Sequence, residues 1–197
     1  ALYFRNGFAA VNIDHKWGFI DTAGNEVIPF KYDGIDTQYH HHYGNGIKVR
    51  QNRKYGYVVD GIEIISCTYD NIGVFTKDGL SVIRLNGKSG YIDANGNIVI
   101  SPKYDSAKNF YEGLAAIKMS GKWGYIDTYG NEVTSFKYDI ANDFSEGRAS
   151  VGYYGATNPL GDVKSGYIDK VGYEIIPIRY DLASDFREGL ARVKRDG

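Results

Sequence analysis

"KWGFIDTAGNEVIPFKYD" (residues 16–33) is almost rewritten as "KWGYIDTYGNEVTSFKYD" (residues 122–139). Fourteen of the eighteen letters agree. Duplication at this density points to an internal repeat, so the period comes first. Aligning on the Gly of the motif gives Gly18, Gly56, Gly90, Gly124 and Gly166, spaced 38, 34, 34 and 42 residues apart. A base period of 34 with two insertions accounts for every spacing. The residue after each Gly is aromatic (Phe19, Tyr57, Tyr91, Tyr125, Tyr167), and the next is β-branched. Each copy ends in Tyr-Asp, from Tyr32-Asp33 to Tyr180-Asp181.

Each copy reads as three short strands. Strand A, for example "GLAAIK" (113–118), alternates apolar residues with the period of a half-buried strand. A tight turn leads to strand B, "WGYID". A D-x-x-G turn follows, as in Asp21–Gly24, Asp93–Gly96, Asp127–Gly130 and Asp169–Gly172, with the Gly expected in a left-handed conformation. Strand C comes next, for example "NEVTSF" (131–136), and a connector closing as F-x-E-G returns the chain to strand A. The Gly beside the Trp is expected to admit a neighbouring backbone or ring at close range. A short fourth strand at K-Y-D is a further option.

The fold class expected is therefore all-β: a tandem array of about five antiparallel three-stranded meanders, open and solenoid-like in preference to a closed β-propeller. Residues 1–197 form one array. Repeats fall at 7–44, 45–78, 79–112, 113–146 and 147–188, and a sixth starts at 189–197. No copy can bury its apolar face alone, so neighbours share a core. Residue 1 is Ala, which implies a removed leader or an excised segment, and the unpaired final strand A suggests that the protein continues.

Composition excludes several classes of function. Net charge is -1, so no basic excess predicts a nucleic-acid partner. No apolar run is long enough to insert in a membrane as a helix. One Cys rules out an internal disulfide framework. That residue, Cys67, stands where other copies have Phe30, Pro102, Phe136 and Ile178, so it reads as a core thiol rather than a nucleophile. No nucleophile, phosphate-loop or zinc-protease motif occurs. "DANGN" (93–97) has the oxygen spacing of a calcium loop, but parallel copies lose those oxygens, and turn geometry explains all of them.

The K-W-G-[FY]-I-D-x-x-G-N-E core followed by K-Y-D resembles the WG repeat family of bacterial proteins. Copies starting at Lys16 and Lys122 match closely, whereas Tyr55, Ser89 and Ser165 replace the Trp elsewhere. The resemblance implies a binding scaffold and leans to a bacterial surface or periplasmic setting. The reading adopted is a non-enzymatic module for protein–protein interaction with no cofactor. Its alternatives are a cell-wall or polysaccharide-binding module, and an enzyme with a site at an insertion loop.

Positions recurring in every copy read as structural, so binding residues are sought where copies differ. One insertion, "GIDTQYHHHYGN" (34–45), carries Tyr39, Tyr43 and His40–His42; only His40 and His42 share a side of an extended loop and a zinc site needs further ligands, with His15 the one other His, so the run reads as a polar loop and no metal is expected. The other, "GYYGATNPLGDVKSG" (152–166), offers Tyr153 and Tyr154 as contacts on a mobile loop. Trp17 and Trp123 complete the binding candidates.

Overall fold

The computed structural model describes residues 4, 6–36, 46–155 and 163–195. Twenty-one strands and no helix occur among them, and the sheets are all antiparallel meanders. Sheet 1 holds β1 (Phe8–Ile13), β2 (Lys16–Asp21) and β3 (Glu26–Tyr32). Sheet 2 holds β4 (Gly34–Asp36), β5 (Gly46–Gln51), β6 (Lys54–Val59) and β7 (Ile62–Tyr69). Sheet 3 holds β8 (Asn71–Ile72), β9 (Leu80–Leu85), β10 (Lys88–Asp93) and β11 (Ile98–Tyr104). Sheet 4 holds β12 (Ser106–Ala107), β13 (Leu114–Met119), β14 (Lys122–Asp127) and β15 (Glu132–Tyr138). Sheet 5 holds β16 (Ile140–Ala141), β17 (Arg148–Tyr154), β18 (Val163–Asp169) and β19 (Glu174–Tyr180). A last pair, β20 (Leu182–Ala183) and β21 (Val193–Lys194), follows. Among the described residues no sheet closes on itself into a barrel. The chain forms two compact units, residues 1–102 and 103–197, each with its own core.

The optional fourth strand is real, and it belongs to the following sheet. Each short strand starts just after Tyr-Asp and pairs with the strand A that comes next, as Ser106 with Lys118 and Ala107 with Ile117. A chain leaving strand C therefore crosses at once to its neighbour, which ties consecutive repeats by backbone hydrogen bonds.

The Gly of the motif is required by its own sheet. Strands B and C slip register across it: Trp17 opposes Tyr32 but Phe19 opposes Ile28, so three residues of β3 arch over Gly18. A Cβ there would lie 2.8 Å from the Ile28 carbonyl oxygen and 2.9 Å from the Phe30 ring. At Gly90 it would lie 2.4 Å from the Ile100 oxygen, and at Gly124, 2.9 Å from the Thr134 oxygen. Those separations forbid a side chain. The close approach expected from the sequence is a bulge in strand C.

Both flanks of that Gly enter cores. Tyr125 and Ile126 point to opposite faces of β14, and both are buried. In the second unit Tyr125, Leu114 and Ala116 of sheet 4 share a core with Ile168, Val151, Phe144 and Tyr138. In the first unit Phe19, Ile28 and Tyr32 of sheet 1 meet Val49 and Val58 of sheet 2. Each large side chain among them contributes about 1.5–3 kcal/mol by burial, and the share gained across adjoining sheets is not available to an isolated repeat.

The D-x-x-G carboxylates work inside their turns. Asp21 accepts the N–H groups of Ala23 (2.9 Å) and Asn25 (2.8 Å) and the Asn25 side-chain amide (2.9 Å), with Gly24 at φ 85°. Asp93 and Asp127 repeat the arrangement. Both oxygens of the "DANGN" carboxylate thus serve the turn.

The Tyr-Asp carboxylates clamp adjoining repeats. Asp33 binds Lys16, which opens its own strand B, and accepts the backbone N–H of Asn52 in the turn of the following repeat (2.7 Å). Asp70 does the same with Lys54 and the Gly87 N–H, and Asp139 with Lys122 and the Tyr154 N–H. The partners lower the pKa of Asp33 and Asp70, led in each case by the lysine.

The F-x-E-G connectors hold a feature that pattern reading missed. Tyr111 and Leu114 bracket a two-residue hairpin, and both central residues take positive φ, Glu112 at 56° and Gly113 at 84°. Glu146 and Glu188 do likewise. Positive φ is costly for Glu. Each turn aims successive N–H groups outward, the kind of concavity that binds anions. The Glu112 carboxylate accepts the Gly147 N–H (2.9 Å), and Glu146 accepts those of Glu188 (2.6 Å) and Gly189 (2.8 Å). The glutamates of the second unit thus clasp one another in single file.

Among the described residues no helix is long and apolar enough to cross a membrane.

Candidate functional site

Trp123 lies near the start of β14, opposite Lys118 on β13 and Tyr138 on β15. It is half-buried and packs against the core of the second unit. The ammonium groups of Lys118 and Lys108 each stand 5.8 Å from its ring centroid, within cation–π range. Tyr138 itself is buried, and Tyr153 stacks on it at 5.6 Å with an interplanar angle of 36°. Lys137 sits 5.1 Å from the Tyr138 centroid. Trp123, Tyr138 and Tyr153 thus form an aromatic strip that runs from half-buried Trp123 through buried Tyr138 to exposed Tyr153, with lysines along its flank.

Tyr153 and Tyr154 are therefore not on a mobile loop. They are the last two residues of β17, paired with Lys164 and Val163 of β18. The Tyr154 N–H is held by Asp139 (3.1 Å). The two residues remain 37% and 46% exposed, so the frame presents them without freeing them. Burial raises the Tyr153 pKa while Lys137 opposes it; Tyr138 rises by burial and by the charge of Glu174.

Beside the strip lies Asp143, whose Oδ1 is buried without a hydrogen-bond partner. Burial holds its carboxyl above the usual range, Lys108 pulls against that, and Asp185 adds to it.

In the first unit Trp17 is half-buried beside Tyr32 and takes part in packing sheet 1 on sheet 2. Tyr55 holds the same register position in sheet 2, and the Lys48 ammonium lies 4.4 Å from its centroid. Lys48 also donates to Asn71 Oδ1 (2.8 Å) and the Ile72 carbonyl (2.6 Å). A hollow of about 340 Å³ opens here, lined by Gly34, Asp36, Lys48, Arg50 and Tyr55 with the Ile35 and Val49 backbone positions between them. Burial lowers the Lys48 pKa, and Asp36 opposes that.

Cys67 is half-buried, and burial raises its thiol pKa, with the charge of Glu63 in the same direction. Tyr39, Tyr43 and His40–His42 lie outside the described residues. Among the described residues no three His, Cys, Asp or Glu side chains group as metal ligands. The residues missed from sequence are the lysines over Trp123 and the charged hollow beside Tyr55. Lys118 was visible as the last letter of strand A. Its contact follows only from the A–B register.

The motif is repeated in space as it is in sequence, and a family model supports the same reading. The model described as "WG containing repeat" matches residues 17–38, 60–88, 90–123, 123–155 and 166–197. The chain belongs to the WG-repeat family. Its WG repeats build a tandem β scaffold, an architecture suited in general to binding. No curated protein matches the chain. Among solved structures it is similar to a eukaryotic initiation factor, with a TM-score of 0.46 and 10% identity over 90% of this chain and 54% of that one. It is similar to Hsv2p of Kluyveromyces lactis, with a TM-score of 0.42 and 9% identity over 65% and 44%. PorZ, a surface component of the type-IX secretion system of Porphyromonas gingivalis, has a TM-score of 0.37 and 14% identity over 85% and 27%. The chain thus spans about half the length of the first two. Likeness at this level carries no argument about a ligand.

Proposed function

We propose that this WG-repeat chain is a non-enzymatic binding module that docks another protein through the Trp123–Tyr153 strip. The observation carrying this is the pairing of half-exposed aromatic rings with lysines on a rigid sheet. Aromatic anchors ringed by polar groups dominate the energetics of protein interfaces. The recurrent carboxylates of D-x-x-G and Tyr-Asp are engaged in turns and clamps, which favours binding over catalysis at those positions.

The test uses Trp123→Ser and Tyr153→Ala. Ser89 and Ser165 already occupy the Trp position in other repeats, so Trp123→Ser keeps a residue that the fold accepts. A partner is captured with the intact chain, purified and titrated directly. Loss of at least tenfold in affinity with both variants supports the reading. Unchanged affinity for that partner overturns it. Peptidoglycan sedimentation and a glycan array run alongside: saturable sugar binding lost in the same variants would replace protein by glycan.

A further inference from the structure

The hollow on sheet 2 has a composition that no other described sheet repeats. Strand register puts Gly34, Arg50 and Tyr55 in one row across β4, β5 and β6, with Asp36, Lys48 and Tyr57 in the next. Residues directly opposed share a face, so Gly34, Asp36, Arg50, Lys48 and Tyr55 all line one side of the sheet. At the Gly34 position other sheets carry Asn71, Ser106, Ile140 and Leu182. Sheet 2 has no side chain there. The Arg50 guanidinium lies across the gap, its Nη2 only 3.3 Å from where a Gly34 Cβ would be. Gly34 does not have positive φ, so its backbone gives no reason for glycine. Leaving space beneath Arg50 is the reason the geometry offers.

The charges select the ligand. Lys48 is anchored by Asn71 and Ile72, so the adjustable cation is Arg50, which is exposed. Its planar fork matches a carboxylate bidentately. Half-buried Tyr55, with the Lys48 ammonium over its ring, supplies the aromatic part of the lining. Asp36 lines the same hollow, and Asp33 lies near enough for Arg50 to lower its pKa, though Asp33 is already bound to Lys16. Two cations against one lining carboxylate leave the hollow singly positive, which suits a monoanion and disfavours phosphate. We propose that the Gly34–Arg50–Tyr55 hollow binds a singly charged carboxylate carrying an apolar body, supplied as a free small acid or as an acidic side chain on a partner. This site lies in the first unit and does not depend on the strip at Trp123.

The test is titration of the intact chain by amide-resolved NMR with benzoate, with a capped Glu-containing pentapeptide, and with inorganic phosphate. Saturable shifts at Gly34, Arg50 and Tyr55 with either carboxylate, weakened about tenfold or more by Arg50→Lys, support the site. Arg50→Lys keeps the charge and loses the fork, so a merely electrostatic attraction would survive it. Gly34→Ile fills the hollow with the residue found at position 140, and it should abolish binding while melting stays unchanged. Benzoate binding alone identifies a small-acid site; peptide binding alone identifies a partner's side chain. Absence of saturation with both carboxylates, equal binding by Gly34→Ile, or phosphate binding as tight as benzoate would overturn the proposal.

Discussion

Glu146 holds the backbone of the turn one repeat downstream, its two carboxylate oxygens taking the N–H groups of Glu188 and Gly189 at 2.6 and 2.8 Å. Glu188 has the same strained backbone, at φ 53°, but its carboxylate holds no corresponding turn among the described residues. The pair separates the strain of a left-handed glutamate from the gain of the clasp. Glu146→Ala is expected to cost about 1.5–3 kcal/mol in urea unfolding, the range for hydrogen bonds to charged groups. Glu188→Ala should change little. Glu188→Gly should stabilise by about 0.5–1 kcal/mol through relief of strain. Equal effects of the two Ala variants would refute the clasp as a source of stability.

The motif glycines should not be equally intolerant. A Cβ at Gly90 meets the Ile100 oxygen at 2.4 Å and the Pro102 nitrogen at 2.6 Å, both rigid backbone. At Gly124 it meets the Thr134 oxygen at 2.9 Å and the edge of the Phe136 ring at 3.0 Å. Gly90→Ala is expected to cost more than about 4 kcal/mol, in the range reserved for backbone strain. Gly124→Ala should cost less, because its nearest backbone atoms stand at 2.9 and 3.1 Å rather than 2.4 and 2.6 Å and the Phe136 ring can yield. Thermal unfolding orders the two, and the reverse order would count against the bulge as the cause.

Two carboxylates in the second unit should give opposite pH slopes. Burial works against the charge of Glu112, yet Lys170 and the Gly147 N–H outweigh it and depress its pKa below the ordinary 4.5. Its contribution is present above that value and is lost as pH falls through the folded pKa. Asp143 is raised above 3.8 by burial, so its contribution is full below the unfolded value and is lost as pH rises through the folded pKa. Glu112→Gln should therefore flatten the acid limb of the stability profile. Asp143→Asn should raise stability at neutral pH. Asn109 precedes Phe110 as Asp143 precedes Phe144, so the amide is compatible with the connector. A stability loss at pH 7 on Asp143→Asn would show that the carboxylate is compensated after all.

Trp123→Ser should leave the fold intact and lower stability by about 1–2 kcal/mol, a fraction of a fully buried aromatic, since the half-buried residue packs on the core. Intrinsic fluorescence should change with it, because Trp17 is then the only indole left. A collapse of near-native circular dichroism would place Trp123 in the core and remove it from any binding surface.

Much of the frame could be read from letters because each repeated residue answers a local demand. Asp21 and Gly24 define a turn within five residues, and Gly18 marks a strand that must arch. The fourth strand was harder to see, because "SA" at 106–107 and "IA" at 140–141 have too few residues for an alternating pattern and gain their partners only from the next repeat. The glutamate clasp was hidden for a similar reason: its hydrogen bonds join residues 35 to 43 apart. Of the binding candidates, Trp123 and Tyr153 are linked by Tyr138, which pairs with Trp123 across the sheet and stacks on Tyr153, an arrangement that depends on how far β17 runs past the usual strand length. In the sequence that extension has the look of a loop because Gly152 and Tyr153 border an insertion, although β18 pairs with them to the end.

The Glu112 and Glu146 carboxylates both reach toward the C-terminus. On a ribosome, which delivers chain from the N-terminal end, the turns at 146–147 and 188–189 emerge after the glutamate whose oxygens receive them. Growth in the native direction therefore supplies the anchor of each of these two hairpins first, while a scrambled order of assembly would not.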